Sequence, residues 1–366
     1  MVGILTFHRA INYGAVLQAY ALRTAVESLG EPCSVVNYVG DKMLAESKLL
    51  FFPKQASLVG QLLRCFRLPM RAATIRKFNR FLTEELQLSH SDVIGEEALA
   101  ALSGHFKGFI TGSDQVFNYE GTGEDFNYYL EFVQGGAKRI AYAPSFGLRA
   151  IDEEHASRVT AALEQFQALS VREDVGADIV EGLTGRRPVR VCDPTFLLNK
   201  EQWERLSVSP KYKKPYVLVY SFGSRHLEKV AGELADQIGG IVVNINRSLP
   251  GIVGDRKVKT GYAPGPREFL GLIRDAEIVV TNSFHGMALS VLLEKEFYAF
   301  TNHYENANAT NQRFVTLGES LGLSQRVYNT LDSVQRTPVD YAAVGEKIDR
   351  WRRESMDFLS HALQDT

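Results

Sequence analysis

The chain has 366 residues, of which 45% are hydrophobic and 23% charged, and its formal net charge is −2. Those are ordinary values for a folded globular protein, and the length exceeds one typical core, which points to two domains. A near-neutral balance excludes nucleic-acid binding by bulk electrostatics, so any anion site must be a local basic patch. Cys33, Cys65 and Cys192 lie too far apart in sequence for a disulfide framework or a metal-ligand spacing, and read as inert thiols of a reducing compartment.

The start, "MVGILTFHRAINYGAV", lacks a basic region followed by a long apolar one and does not read as a signal peptide. No run of about 20 apolar residues is present to span a membrane, so a cytoplasmic protein is expected. "VGILTF" (2–7) predicts a strand. After the loop "HRAINYG", Val16, Tyr20, Leu22, Val26 and Leu29 recur near helical period and Gly30 supplies a stop. "CSVVNYV" (33–39) predicts the next strand, which completes a βαβ unit and implies a parallel sheet.

The stretch 42–80 carries Lys42, Lys48, Lys54, Arg64, Arg67, Arg71, Arg76, Lys77 and Arg80 against the single acid Glu46, interleaved with "LLFF" (49–52), Leu62, Leu63 and Phe66. Two readings stay open: a helical insertion covering the sheet, or contact with an anionic membrane surface. The strand pattern resumes at "FKGFITGSDQVF" (106–117) and "AKRIAYAPSFG" (137–147), with a helix over 152–166, then "ALSVRED" (168–174) and "VRVCDPTFLL" (189–198).

The charged, proline-punctuated "SPKYKKPY" (209–216) marks a boundary. Beyond it come the strand "YVLVYSF" (216–222), a helix near 225–238 and "GIVVNIN" (240–246). A proline-led helix and the strand within "GPREFLGLIRDAEIVVTNSFHG" follow, then "EKEFYAFT" (294–301) and an amphipathic helix in 337–364. The expected architecture is α/β, with two doubly wound Rossmann-like domains facing a cleft. The first spans 1–208 with a basic helical insertion at about 41–100, the second 209–335, and 336–366 forms a closing helix.

In such sheets ligands bind beyond the strand C-terminal ends, which selects the loops 8–14, 111–115, 143–147, 192–195 and 281–286. No Gly-x-Gly-x-x-Gly follows the first strand, and no phosphate-binding P-loop, Gly-x-Ser-x-Gly or His-Glu-x-x-His occurs. His285 stands where a strand meets a helix, and a helix N-terminus favours an anion. Histidine serves as acid or base near neutral pH; the competing role is a cap at the turn.

Six strings in order, "NYGAVLQAYAL", "ITGSDQVFN", "SVREDVG", "CDPTFLL", "GPREFLGLIRDAEIVVTNSFHGMALSVLL" and "NQRFVTLGESLGL", resemble the polysaccharide pyruvyl transferase family. They extend from about residue 3 to 323, and "GP-x-x-FL…A-x-x-VVTNSFHG" is the most specific of them. The resemblance implies a fold similar to GT-B glycosyltransferases. It also implies transfer of a pyruvyl group from phosphoenolpyruvate to a sugar, closing a ketal on a surface-polysaccharide precursor carried on a polyprenyl diphosphate. His285 matches the family's histidine and would protonate the donor or hold its phosphate, with Ser283 and Gly286 beside it.

Some members carry an arginine shortly before that histidine, where this chain has Ser283 and Phe284. Arg313 and Arg172 are the candidate replacements, since a guanidinium fork suits phosphate; a surface arginine, or a pair of Arg172 with Glu173 or Asp174, are the other accounts. Asp114 is the candidate base for the acceptor hydroxyl, or else an Asx-turn residue. Asn12, Gly14, Gln18, Ser113 and Gln115 are the candidate acceptor residues, with helix capping the other role for Asn12. Asp193, before a proline, reads as structural.

No metal or cofactor is expected, because arginines can neutralise the phosphate. The implied location is cytoplasmic, with contact at the inner membrane face if the membrane reading of 42–80 holds rather than the sheet-covering one. A nucleotide-sugar glycosyltransferase and a non-catalytic carbohydrate-binding protein of the same pathway are the alternatives.

Overall fold

The computed structural model describes residues 1–42, 44, 68–90, 94–212, 215–222, 226–245, 251–253, 256–260, 263–301, 307–330, 334 and 336–364. The chain divides into two compact units. One comprises Met1–Ser47, Leu82–Leu198 and Lys347–Thr366, and the other Lys48–Phe81 and Asn199–Glu346.

The first unit opens with β1 (Val2–Leu5), α1 (Tyr13–Ser28) and β2 (Cys33–Val35). The helix ends where the pattern placed its stop, with Gly30 at φ 83°, in the left-handed region glycine enters without cost. After α2 (Leu68–Glu85) come β3 (Gly108–Gly112), β4 (Lys138–Tyr142), α3 (Glu153–Glu164), β5 (Ala168–Val171), α4 (Asp174–Thr184) and the two-residue β6 (Val189–Arg190). The sheet order is β2-β1-β3-β4-β5-β6, parallel throughout. All residues of β1 and β3 are buried, as expected of parallel strands covered on both faces. The order reverses between β1 and β3, which makes that the switch point of the sheet.

The second unit begins at α5 (Lys200–Leu206), continues through β7 (Tyr216–Tyr220), α6 (His226–Gln237), β8 (Ile241–Asn244), β9 (Gly251–Val253) and β10 (Arg256–Thr260), and reaches α7 (Pro266–Arg274). Then come β11 (Ile278–Thr281), α8 (Phe284–Leu292), β12 (Glu296–Phe300), α9 (Ala307–Leu321) and β13 (Val327–Tyr328). Its order is β13-β12-β11-β7-β8-β10-β9, parallel except for the β9–β10 pair. Here the switch point lies between β7 and β11.

The expected domain limits are corrected in three places. The division falls after Leu198 rather than near 208, because Asn199 and Gln202 form a capping box that starts α5 and Trp203 of that helix is fully buried. The described residues of the charged 209–216 stretch therefore belong to the second unit and lead into β7. The closing helix, α10 (Tyr341–Gln364), is not a separate region: from Lys347 onward it groups with the first unit. Of the basic stretch, the described residues 68–81 group with the second unit; the readings placed on 43 and 45–67 lie outside the described residues. Among the described residues no helix is long and apolar enough to cross a membrane.

Candidate active site

In the first unit, backbone hydrogen bonds join the loops after β3 and β4. The Ser113 N–H donates to the Tyr142 carbonyl at 3.2 Å and the Ser145 N–H to the Asp114 carbonyl at 2.8 Å. Both loops turn through left-handed residues, Asp114 at φ 61° and Ala143 at φ 55°. An aspartate tolerates this region by bonding locally, and Asp114 Oδ1 accepts the Gln115 N–H at 3.0 Å. Alanine has no such compensation, so Ala143 stores about 1–2 kcal/mol of strain beside the candidate base.

Arg172, just after β5, is buried among carboxylates. Its Nη1 donates to Asp193 at 2.7 Å and its Nε to Glu173 at 3.2 Å, while Nη2 lies 3.6 Å from Asp114. Burial alone would push the guanidinium down, but Glu173, Asp193 and Asp114 outweigh it and hold it above its ordinary value. Arg172 thereby ties Glu173, Asp193 and Asp114 together at the end of the sheet. Its pairing with Glu173 is realised, whereas Asp174 pairs with Arg190 at 3.1 Å.

The expected acceptor residues mostly brace the loops. Fully buried Ser113 donates to Asp193 at 2.9 Å. Asp193 also caps the turn at Pro194–Leu197, the structural role expected for it. Gln18 Nε2 donates to Thr6 Oγ1 at 2.8 Å, and Thr6 Oγ1 to the Ser113 carbonyl at 3.4 Å. Gln18 Oε1 is buried with no hydrogen-bond partner among the described residues. Asn12 Oδ1 accepts from the N–H groups of Gly14 at 3.0 Å and Ala15 at 3.4 Å, so Asn12 is a helix cap and Gly14 lies in the first turn of α1. Gln115 accepts from Asn118 at 3.0 Å and packs over Gly147, whose added Cβ would approach Gln115 Oε1 to 2.7 Å. Asp114, with 13% of its side chain exposed, keeps access to solvent.

The second unit builds the histidine site at its own switch point. Thr281 Oγ1 donates to the Tyr220 carbonyl at 2.7 Å and accepts the Ser283 N–H at 3.0 Å, tying β7 to the entrance of α8. Ser283 is the N-cap of α8, and its Oγ accepts the Gly286 N–H at 3.4 Å. His285 lies in the first turn and is 5% exposed. Gly286 is dictated by close approach: a Cβ there would stand 2.3 Å from Thr281 Oγ1 and 3.0 Å from the Tyr220 ring. The His285 ring meets Phe284 edge-on at 5.2 Å between centroids, and the Arg313 guanidinium lies 5.7 Å from the centroid of the Phe284 ring. Thus Ser283, His285 and Gly286 stand at the start of α8, and Arg313 of α9 reaches the Phe284 ring of the same turn.

Two residues escaped the sequence reading. Phe222 is 52% exposed just after β7, while Asn282 grips its backbone by accepting its N–H at 2.8 Å and donating to its carbonyl at 3.1 Å. An exposed aromatic whose backbone is held by the loop after β11 is a stacking surface, and its signal was the apolar run continuing past the end of a strand. His8, just after β1, is fully buried between Thr6 and Asn37; an isolated histidine in a loop carries no burial signal. Of the described basic residues, Lys42 donates to the Glu120 carbonyl at 2.7 Å and Lys77 pairs with Glu268 at 2.7 Å.

A family model described as polysaccharide pyruvyl transferase matches residues 12–304. No curated protein matches the chain. Among solved structures, a Listeria monocytogenes protein described as a UDP-N-acetylglucosamine 2-epimerase is 10% identical with a TM-score of 0.50, over 99% of this chain and 90% of that one. A UDP-GlcNAc 2-epimerase from Neisseria meningitidis bound to UDP-GlcNAc is 10% identical with a TM-score of 0.48, over 98% and 93%. A UDP-glucosyltransferase from Polygonum tinctorium is 13% identical with a TM-score of 0.45, over 99% and 93%. At such identities the likeness concerns fold alone, a GT-B-like α/β fold of two Rossmann-like units.

Proposed function

The chain belongs to the polysaccharide pyruvyl transferase family, and from that premise we propose that it moves a pyruvyl group from phosphoenolpyruvate to two hydroxyls of a sugar. The observation that carries this reading is the N-terminus of α8, which Ser283 caps with His285 in its first turn and with Arg313 5.7 Å from the Phe284 ring. A positive helix end, an imidazole and a guanidinium together suit an enol phosphate that also bears a carboxylate.

The chemistry balances as follows. A proton adds to the methylene carbon of the donor, making a methyl group and an electrophilic central carbon. One sugar oxygen attacks that carbon, the second displaces phosphate, and the two hydroxyl protons are accounted for by the new methyl hydrogen and by hydrogen phosphate. His285 delivers the first proton, and Arg313 neutralises the departing phosphate. Asp114 takes a proton from the acceptor hydroxyl, held in place by Arg172 and by its own turn. General acid–base catalysis of this kind contributes about 10²–10⁴ in rate. The acceptor we favour is a polyprenyl-diphosphate-linked sugar at an anionic membrane face, where the basic stretch 42–80 would add attraction.

The test is phosphate release from phosphoenolpyruvate with a panel of sugars, including lipid-linked ones in anionic vesicles. Wild type should release phosphate only with acceptor. His285→Ala, Arg313→Ala and Asp114→Asn should each fall by about 10²–10⁴ while keeping the wild-type melting temperature. Thermal stabilisation by a nucleoside diphosphate, with none by phosphoenolpyruvate and no release on any acceptor, would replace this reading with a nucleotide-sugar glycosyltransferase. Binding of glycan without phosphate release would replace it with a carbohydrate-binding protein.

A further inference from the structure

A cavity lies at the N-terminal ends of strands in the first sheet. It is about 350 Å³ and is lined by the first residues of β4, β5 and β6, namely Lys138, Ala168 and Val189, together with Arg186, Phe358 and His361. Asp114, Ala143 and Arg172 follow the C-terminal ends of β3, β4 and β5, so this cavity is separate from the acid cluster of the same unit.

Its chemistry is one-sided. Lys138, Arg186, Arg187 and His361 contribute to the walls, and none of the described lining residues is acidic. Arg187 is engaged from outside by Asp178 at 3.1 Å and by Glu181 at 2.5 Å. Lys138 and Arg186 stand on different segments, the start of β4 and the loop after α4, so two backbones bring positive charge to one hollow. The remaining wall is apolar: Phe358 from α10, Pro188, and Val189, a β-branched residue left 50% exposed. Concave sites of about 300–1,000 Å³ with an apolar wall and a few converging polar groups are the usual form of small-molecule pockets. A bare phosphate would leave the Phe358 and Val189 surface wet, whereas an anion joined to a flat ring would use both halves.

We propose that this cavity binds a small phosphate monoester with a planar apolar body, the phosphate on Lys138 and Arg186 and the ring against Phe358 and Val189. The site does not depend on the transferase reading above.

Calorimetric titration of the full chain with phenyl phosphate tests it, with inorganic phosphate as the comparison. Phenyl phosphate should bind wild type, and more tightly than inorganic phosphate. Lys138→Ala and Arg186→Ala should each weaken it about tenfold, the expected loss of one charge-assisted hydrogen bond. Phe358→Leu should remove the advantage over inorganic phosphate, and the binding lost in Lys138→Ala and Arg186→Ala should persist in His285→Ala, where any binding at the histidine site is removed. Lys138 is only half-buried and Arg186 exposed, so those variants should keep the wild-type melting temperature. The proposal is overturned if wild type does not bind phenyl phosphate, or if both cation variants bind as wild type does. Loss of binding in His285→Ala alone would also overturn it, because the probe would then be reading the histidine site.

Discussion

His8 illustrates how much a single buried group decides. Its Nδ1 lies 3.0 Å from the Thr6 carbonyl and its Nε2 3.1 Å from Asn37 Oδ1. The Asn37 amide is oriented by Arg9 Nε, which donates to the same oxygen at 2.8 Å, and by the His90 carbonyl, which accepts from Nδ2 at 2.9 Å. Both imidazole nitrogens therefore face acceptors, an arrangement only the cation satisfies. Burial nevertheless dominates and lowers the pKa below 6.5; the bonds to Thr6 and Asn37 oppose it and the Arg9 charge adds to it. The unfolded chain takes up a proton near pH 6.5 that the folded chain resists, so this contribution to stability is present above that pH. It is lost as pH falls through the lower folded value. Wild type should lose melting temperature between pH 7 and pH 5 more steeply than His8→Gln; parallel curves would show that His8 does not carry the dependence. The sequence marked His285 and Asp114 because they end apolar strands, but the left-handed φ of Asp114 and the burial of His8 follow from neighbours more than twenty residues away.

At the scale of elements, the junction of β11 and α8 is the part of the site most tightly specified. Val279, Val280 and Thr281 are buried, Ser283 caps, and Gly286 allows the helix to close on Thr281 and Tyr220. Thr281 Oγ1 is occupied on both sides by hydrogen bonds, so it cannot move aside for a Cβ. Gly286→Ala should therefore cost about 1–3 kcal/mol by overpacking, read as a lowered denaturation midpoint. An unchanged midpoint would mean that the helix start can shift. Long apolar runs such as "YVLVY" and helices with clear period and caps, α1 and α7 among them, were legible because burial on one or both faces writes a pattern. The strand read within 189–198 is only the exposed two-residue β6, and its pairing with β5 is set by the sheet rather than by its own residues.

For the whole molecule, the return of the chain to its first unit is the decisive feature. Within α10, Arg352 donates to the carbonyls of Phe196 at 2.7 Å and Leu198 at 3.1 Å. Ser355 Oγ accepts the Cys192 N–H at 2.9 Å, and Leu359 is fully buried. Burial pushes the Cys192 thiol up to about 12, so it stays protonated and unreactive at neutral pH. Deleting residues 347–366 should expose this face and let a maleimide label Cys192 at pH 7.5 under conditions where the full chain resists, as read by peptide mass spectrometry; equal protection would show that α10 is dispensable to the unit. The sequence by itself determined the α/β class, the two doubly wound halves, the family and the strand–helix junction at His285. The class, the halves and the junction are written in local apolar period and in residue types at short spacing, and the family in the resemblance of six ordered strings. Only the tertiary structure decided that Arg172 is buried beside three carboxylates, that Arg313 lies over Phe284, the histidine's neighbour, and that the last helix completes the first unit. Each of those facts depends on which distant segments meet, and charge compensation and burial exist only once they have met.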